Sequence, residues 1–403
     1  MQYRAVPDAH RTAYRTILQY AFDAESGPEL DEEPRERPEN FHPRGLYAVD
    51  AADDEPSADD LRTVCGRIDF GVRLRGDRHP LGGVSAVASP PESRRQGHVA
   101  TMLDELLAEL REEGVYLSAL WPFEHAFYRR FGWALAHQFV RTTIDPADLD
   151  SVAADPAGRF RRLNPDDWDA MADVLDAAAT HPLGLERPES WWRCRTFRGW
   201  ERDPYVYGWE RDGRLRGYVV YRVDAEGGDE TLSVSELTAA DYAARTQLYR
   251  FLRDHDSQVD RVRFSEPVRA DLLETLRDPR SAQIDLEPGA MVRLVDVRAA
   301  LRSLAFPPEA ELSLVLDVSD DRCPWNDRTV KLRVTDGRAS CERTDDEPEA
   351  HLDVGALSQL VVGTRSAAKL RRHGELTAGV EVVERLDAAF PEPEATPYLR
   401  EFF

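Results

Sequence analysis

The chain has 403 residues, 42% of them hydrophobic, with 75 acidic against 52 basic side chains and a net charge of -23. That length exceeds one ordinary domain and predicts two or three. So acidic a surface repels phosphate and argues against DNA, RNA or an anionic membrane as partner. Every apolar run falls short of the ~18 residues that a membrane span needs. The polar start, Met1-Gln2-Tyr3-Arg4, lacks the apolar core of a signal peptide, so a cytoplasmic location is expected.

Tyr14, Ile17, Leu18, Ala21 and Phe22 fall at helical spacing and predict a helix over 8–23. Residues 24–44 hold Pro28, Pro34, Pro38 and Pro43 among many acids and read as a loop or a short broken helix, not a core element. Strands are expected at 46–50, 62–74 and 82–89. After Pro90 and Pro91 comes an amphipathic helix, with Val99, Met102, Leu103, Leu106, Leu107 and Leu110 on one face and Gly114 as its C-cap. A strand at 115–120, a short helix at 124–131 and a strand at 133–143 complete a first domain. The composition breaks at 146–158. A helix at 166–179, a hairpin of 205–209 with 215–223, a strand at 232–237, a helix at 240–254 and a strand at 259–264 follow. This order echoes the first domain as a weak internal repeat. Residues 286–300 lead into a third unit with strands at 312–317, 329–335 and 338–342. Helices are expected there at 354–362, 366–370 and 378–389, before the last stretch at 398–403.

Only Lys331 and Lys369 are lysines. The acids are spread along the whole chain, which fits adaptation to high salt better than a dedicated site for a cationic substrate. Cys65, Cys194, Cys323 and Cys341 form no CxxC pair and no zinc-spaced cluster with histidine, so no metal is expected. The thiols read as reduced, and a Cys323–Cys341 bridge is disfavoured in a reducing compartment.

The strongest local signal is the strand at 82–89, then Ser93-Arg94-Arg95-Gln96-Gly97-His98-Val99-Ala100, then a helix. Successive N–H groups at a helix N-terminus converge on one point, and the helix dipole favours an anion there. Gly97 permits unusual dihedrals and close approach, and Arg94 and Arg95 add charge-assisted bonds to phosphate. An ordinary exposed helix start is the alternative. The corresponding junction further on, Glu236-Leu237-Thr238-Ala239-Ala240-Asp241-Tyr242, has neither glycine nor arginine, and Asp241 would repel a phosphate. No cofactor is expected there; that domain is expected to shape an acceptor pocket instead.

The loop resembles motif A of the GNAT acetyltransferases, in which Arg94, Gly97 and the helix match. The segment VYLSALWPFEHAFYRRFGW at 115–133 resembles one branch, the Eis-type (enhanced intracellular survival) acetyltransferases, where a bulky residue such as Val99 is usual in the loop. The resemblance covers the whole chain and implies an α/β (α+β) fold. Two tandem GNAT-like mixed-sheet domains, 1–148 and 149–297, would precede a sterol-carrier-protein-like α/β domain at 298–403. It further implies an acetyl-CoA-dependent N-acetyltransferase. The pantetheine arm would pair with backbone at Val87, Ala88 and Ser89. The pyrophosphate would meet Arg94, Arg95, Gln96, Gly97, His98, Val99 and Ala100. The acetyl end would approach Phe123 and Glu124. Tyr128 would be the general acid, and the chain's own terminal carboxylate at Phe403 the general base, with Phe402 and Phe403 anchoring the tail. His125 is a weaker candidate base that can equally face solvent. The acceptor would be an amine of a small polyamine- or aminoglycoside-like molecule, or of a lysine or peptide. Trp191, Trp192 and the acidic loop at 24–44 are candidate acceptor contacts, although paired tryptophans also suit a core. The resemblance implies a homo-oligomer, of which a hexamer is one form. The competing reading is a non-catalytic protein that binds a small molecule or lipid through its C-terminal domain.

Overall fold

A computed structural model describes residues 1–30, 35–49, 55–199, 202–226, 228–268 and 271–403. Residues 31–34 of the acidic loop and residue 50 of the expected strand at 46–50 lie outside that description. The chain forms two units, one of Met1–Pro34, Asn40–His137 and Ala290–Phe403, the other of Arg35–Glu39 and Gln138–Gly289.

The first unit opens with β1 (Gln2–Ala5), α1 (Arg11–Phe22), β2 (Phe41–Tyr47), β3 (Leu61–Leu74) and β4 (Asp77–Ala88). These strands pair antiparallel in sequence order. β2 starts earlier than its sequence suggests, because Pro43 lies inside it. Proline lacks a donor, but its carbonyl still accepts from the Val6 N–H at 3.1 Å. Next come α2 (His98–Glu112), β5 (Leu117–Leu120), α3 (His125–Arg129) and β6 (Ala134–Leu135). Because α2 crosses over, β5 pairs parallel with β4, from Leu81↔Leu117 to Val84↔Leu120. The ladder stops there while β4 runs on to Ala88, so the two strands part at the end nearest α2. The α2 stripe of Met102, Leu103, Leu106, Leu107 and Leu110 is fully buried against Val84, Leu120 and Tyr128. Truncating one such leucine costs about 2–5 kcal/mol.

The expected strand at 133–143 is two strands. β6 stays in the first sheet, and β7 (Gln138–Ile144) belongs to the second unit. There it joins β8 (Arg159–Arg162), α4 (Trp168–Ala178), β9 (Tyr205–Arg211), β10 (Arg214–Glu226), β11 (Asp229–Ala239), α5 (Tyr242–Arg253), β12 (Arg261–Pro267) and β13 (Gln283–Pro288). The sheet order is β13-β7-β12-β11-β10-β9-β8. Here too a helix, α5, joins two parallel neighbours, β11 and β12. The strand–helix–strand echo is therefore a repeat of topology.

The chain then returns to the first unit. β14 (Met291–Leu294) slots between β5 and β6, antiparallel to both. A further sheet follows, with order β17-β16-β15-β18-β19. Its elements are α6 (Val297–Ser303), β15 (Leu312–Ser319), β16 (Arg328–Thr335), β17 (Arg338–Arg343), β18 (Ala350–Asp353), α7 (Val354–Val362), α8 (Ala367–Arg372), β19 (Leu376–Ala378) and α9 (Val380–Ala389). The short strands β14, β18 and β19 have no counterpart in the sequence reading, since runs of three or four residues carry no measurable period. The four cysteines are free and buried. Among the described residues no helix is long and apolar enough to cross a membrane.

Candidate active site

The loop between β4 and α2 begins with a break in β4. Ala86 takes φ 53, and the register with β3 shifts between Val64 and Gly66. Such a bulge bends a strand and leaves backbone groups unpaired. Val87 packs against the α2 core, and Ala88 pairs with Val64. Thr63 donates to the Ala88 carbonyl at 2.8 Å and accepts from the Ser89 hydroxyl at 2.9 Å. Arg94 donates to the Ser89 carbonyl at 3.2 Å, and its guanidinium sits 5.3 Å over the Tyr20 ring. Gln96 donates to the Glu92 carbonyl at 2.7 Å. These contacts, within the loop and to Thr63 and Tyr20, fix its shape.

Two left-handed residues turn the loop into α2, Arg95 at φ 60 and Gly97 at φ 83. A Cβ on Gly97 would meet nothing within 4 Å, so glycine is needed for the dihedral and not for room. Gly97 is the N-cap and offers no side-chain oxygen to the helix. The N–H groups of Arg95, Gln96, Gly97, His98, Val99 and Ala100 have no acceptor among the described residues. His98 is buried, and its Nδ1 is likewise without a partner among them. Consecutive unpaired amides at a helix N-terminus form an anion cradle, and this one suits a pyrophosphate.

The second unit's junction is built the other way. Asp241 is the N-cap of α5, and its carboxylate accepts from the Ala244 N–H at 2.8 Å. Arg216 and Arg211 pair with the same carboxylate at 2.6 and 3.0 Å. The bond from Arg216 holds the Asp241 carboxyl below its ordinary range. The residue expected to repel a phosphate is thus already neutralised by arginines. What removes the cradle is that the helix end is capped from within.

Beyond β5, α3 carries Tyr128. The ring is 3% exposed and sits edge-on to Phe127 at 5.1 Å, Phe123 at 5.6 Å and Trp133 at 6.3 Å. Its hydroxyl has no hydrogen-bond partner among the described residues. Burial, with a smaller contribution from nearby Cys65, raises the phenol pKa well above its usual range, so it holds its proton. Burial also pushes the Cys65 thiol up, to about 12. Phe123 and Glu124 are exposed, Glu124 as the N-cap of α3, and His125 is half-buried at its first position.

The chain's end returns to this sheet. The Trp121 indole donates to the Glu401 carbonyl at 2.6 Å, and Trp121 packs on Phe402 at 5.3 Å. Phe403 is buried beside Phe70 at 5.3 Å, close enough to β4 that a Cβ on Gly83 would come within 2.9 Å of its ring. Phe402 is 65% exposed, so of the two expected anchors Phe403 alone is buried. The sequence reading did not single out Trp121, and an aromatic just past a strand gives no local signal of a partner 280 residues away. Trp191 and Trp192 are buried in the second unit, where Trp192 meets Tyr218 edge-on at 6.1 Å and lies under Arg187. They are core residues and are not exposed contacts for an acceptor. Among the described residues no group of His, Cys, Asp and Glu could hold a metal.

Comparisons with known proteins agree with this architecture. Residues 2–136 and 183–294 match family models described as acetyltransferase (GNAT) domains, and residues 297–400 match a sterol carrier protein domain. N-acetyltransferase Eis of Mycobacterium tuberculosis is 31% identical over 327 residues, 77% of this chain and 78% of that protein. An uncharacterized N-acetyltransferase of Streptomyces coelicolor is 30% identical over 362 residues, 82% of this chain and 84% of its own. Among solved structures, a probable N-acyltransferase from Enterococcus faecalis superposes with a TM-score of 0.86 at 22% identity, covering 100% of this chain and 99% of the other. Eis1 from Mycobacterium abscessus gives 0.76 at 22% identity over 100% of both chains.

Proposed function

Because the chain belongs to the Eis-type acetyltransferases of the GNAT kind, we propose that it transfers acetyl from acetyl-CoA, held at the β4–α2 loop, to a primary amine. The acceptor class is a small polyamine- or aminoglycoside-like molecule or a lysine side chain. The observation that carries this reading is the run of N–H groups from Arg95 to Ala100 that have no acceptor among the described residues. When bound, acetyl-CoA supplies an activated acyl group and a sulfur leaving group. The backbone of Val87 and Ala88, on the part of β4 past its last β5 partner, and of Ser89 just after the strand, binds the pantetheine arm. Arg94 and Arg95 add charge to the amide cradle, and Phe123 and Glu124 border the acetyl end.

Tyr128 keeps a proton on a hydroxyl that no group among the described residues claims, which suits it to protonate the departing sulfur. The carboxylate of Phe403, fixed by the burial of its own ring, takes the proton from the acceptor ammonium, directly or through a water. An α-carboxyl has a reference pKa of ~3.3–3.7, so it is a weak base whose value lies in its placement. The family also suggests a homo-oligomer, which light scattering on the purified protein tests.

The direct experiment follows thiol release from acetyl-CoA across a panel of amines at high salt. Wild type turns over. Tyr128→Phe lowers kcat by about 10²–10⁴, the usual weight of a general acid, and deletion of Phe403 lowers it comparably. Both variants matching wild type would refute the mechanism. The pH profile is a second check. A general acid must be protonated to act, and raising its pKa moves its loss to higher pH. No fall in kcat from Tyr128 ionisation is therefore expected up to about pH 10, the ordinary phenol value. A fall near pH 8 that Tyr128→Phe abolishes would contradict this.

A further inference from the structure

One arginine outside the loop and the tail is tied to the Tyr128 segment. Arg293, on β14, is fully buried. Its Nη1 donates to the Phe131 carbonyl, and its Nη2 donates to both oxygens of Asp320, at 2.9 and 2.7 Å. The guanidinium lies 5.5 Å over the Trp133 ring. Gly132, between those two contacts, has φ 82, and a Cβ there would run into the guanidinium. Phe131 and Trp133 in turn hold Tyr128. Both their N–H groups donate to the Tyr128 carbonyl, at 3.0 and 3.3 Å, and the Trp133 ring packs on the phenol.

The far side of the bridge comes from the C-terminal part of the chain. Asp320 also accepts from the N–H groups of Arg322 and Cys323 and from Asn326. Cys323 is buried in the same core cluster as Tyr128 and Met102. Arg322 pairs with Asp104 on α2 and lies 5.3 Å over Phe131. A loop of the sterol-carrier-like region therefore enters the core of the first GNAT domain, between the helix that follows the CoA cradle and the helix that carries the acid.

We propose that Arg293, braced by Asp320, is a positioning residue for the acetyl-transfer step, which sets the Tyr128 hydroxyl by clamping Phe131 and Trp133. The first GNAT domain is then incomplete without residues 320–326. The proposal rests on Tyr128 being the general acid. Only a planar fork reaches the carbonyl and the carboxylate together, so lysine keeps the charge and loses one of the two contacts.

The experiment measures kcat and the KM for acetyl-CoA in the full chain. The variants are Arg293→Met, Arg293→Lys, Tyr128→Phe and Leu332→Ala, the last a core truncation on β16 that lowers stability away from these contacts. Misplacing a reacting group by about an ångström costs up to roughly 100-fold. Arg293→Met is expected to lose about 10- to 100-fold in kcat with KM within about 2-fold, and Arg293→Lys an intermediate amount. Leu332→Ala, compared at equal loss of Tm, keeps its kcat. If Arg293→Met does not fold, Arg293→Lys carries the test alone. Wild-type kcat in every folded Arg293 variant, or a loss no greater than that of Leu332→Ala, overturns the brace. An active Tyr128→Phe overturns the underlying reading of the acid, whatever the Arg293 variants do.

Discussion

The chain builds the same junction twice, a strand running into a helix that crosses to a parallel neighbour, and finishes the two differently. At the end of β4 the helix cap is Gly97, in the left-handed region, and the amides from Arg95 to Ala100 find no acceptor among the described residues. At the end of β11 the cap is Asp241, whose carboxylate occupies the Ala244 amide and is held by two arginines. Topology is common to both; the first end is reached through a loop with Arg95 and Gly97 in the left-handed region, which leaves its amides open, whereas the second has no such loop and its cap supplies its own oxygen. The following helices differ in the same sense. α3 presents a buried phenol, whereas the short helix after β12, Leu272–Thr275, holds only leucines, a glutamate and a threonine.

Three variants probe this contrast, from the largest effect to the smallest. Gly97→Asp moves the Asp241 solution into the first junction, placing a carboxylate where phosphate would bind and a side chain at φ 83. The KM for acetyl-CoA is expected to rise at least about 100-fold, from like-charge repulsion in a cradle made for an anion. A KM near wild type in steady-state thiol release would show that the cradle is not the binding site. Removing charge while keeping the amides is milder. The double variant Arg94→Ala, Arg95→Ala should raise that KM by roughly 5- to 30-fold, as two solvent-screened contacts each contribute about 0.5–1 kcal/mol. The rise should grow smaller at high salt, and a salt-independent change would contradict a phosphate role.

The mirror experiment is Asp241→Ala. It opens the second helix end, with an expected loss of about 1 kcal/mol in denaturant unfolding and no change in turnover. Because the Asp241 carboxyl is held below its ordinary range in the fold, its contribution is present at neutral pH. It fades as acid titrates the folded carboxyl. A penalty that survives at low pH would mean that the aspartate acts through packing and not through its charge.

Much of this was legible in the sequence because it is local. The glycine and arginines of the first loop, the α2 stripe and the absence of a glycine at 238–242 all lie within a few residues of what they determine. The features that escaped are those decided across distance. Ala86 and Arg95 adopt positive φ without the glycine that would announce it. The hydrophobic alternation continues through Ala136 and His137, so it gives no sign that the chain leaves one sheet for another. Met291–Leu294 is too short to show a period, and its partners at Leu117–Leu120 lie about 170 residues earlier. Arg293 sits on that strand, which is why a buried arginine central to the first sheet gave no signal. Asp241 was readable as an obstacle to phosphate, but its reason was not. Alone it is a negative charge; in the fold it is a paired cap.

The most direct measurement is a calorimetric titration of CoA into wild type, Gly97→Asp and Asp241→Ala at fixed salt. The two junctions, as built, predict one CoA per chain for wild type and for Asp241→Ala, and no measurable binding for Gly97→Asp. Two sites per chain in wild type, or undiminished binding to Gly97→Asp, would contradict the claim that only the open helix end holds the cofactor.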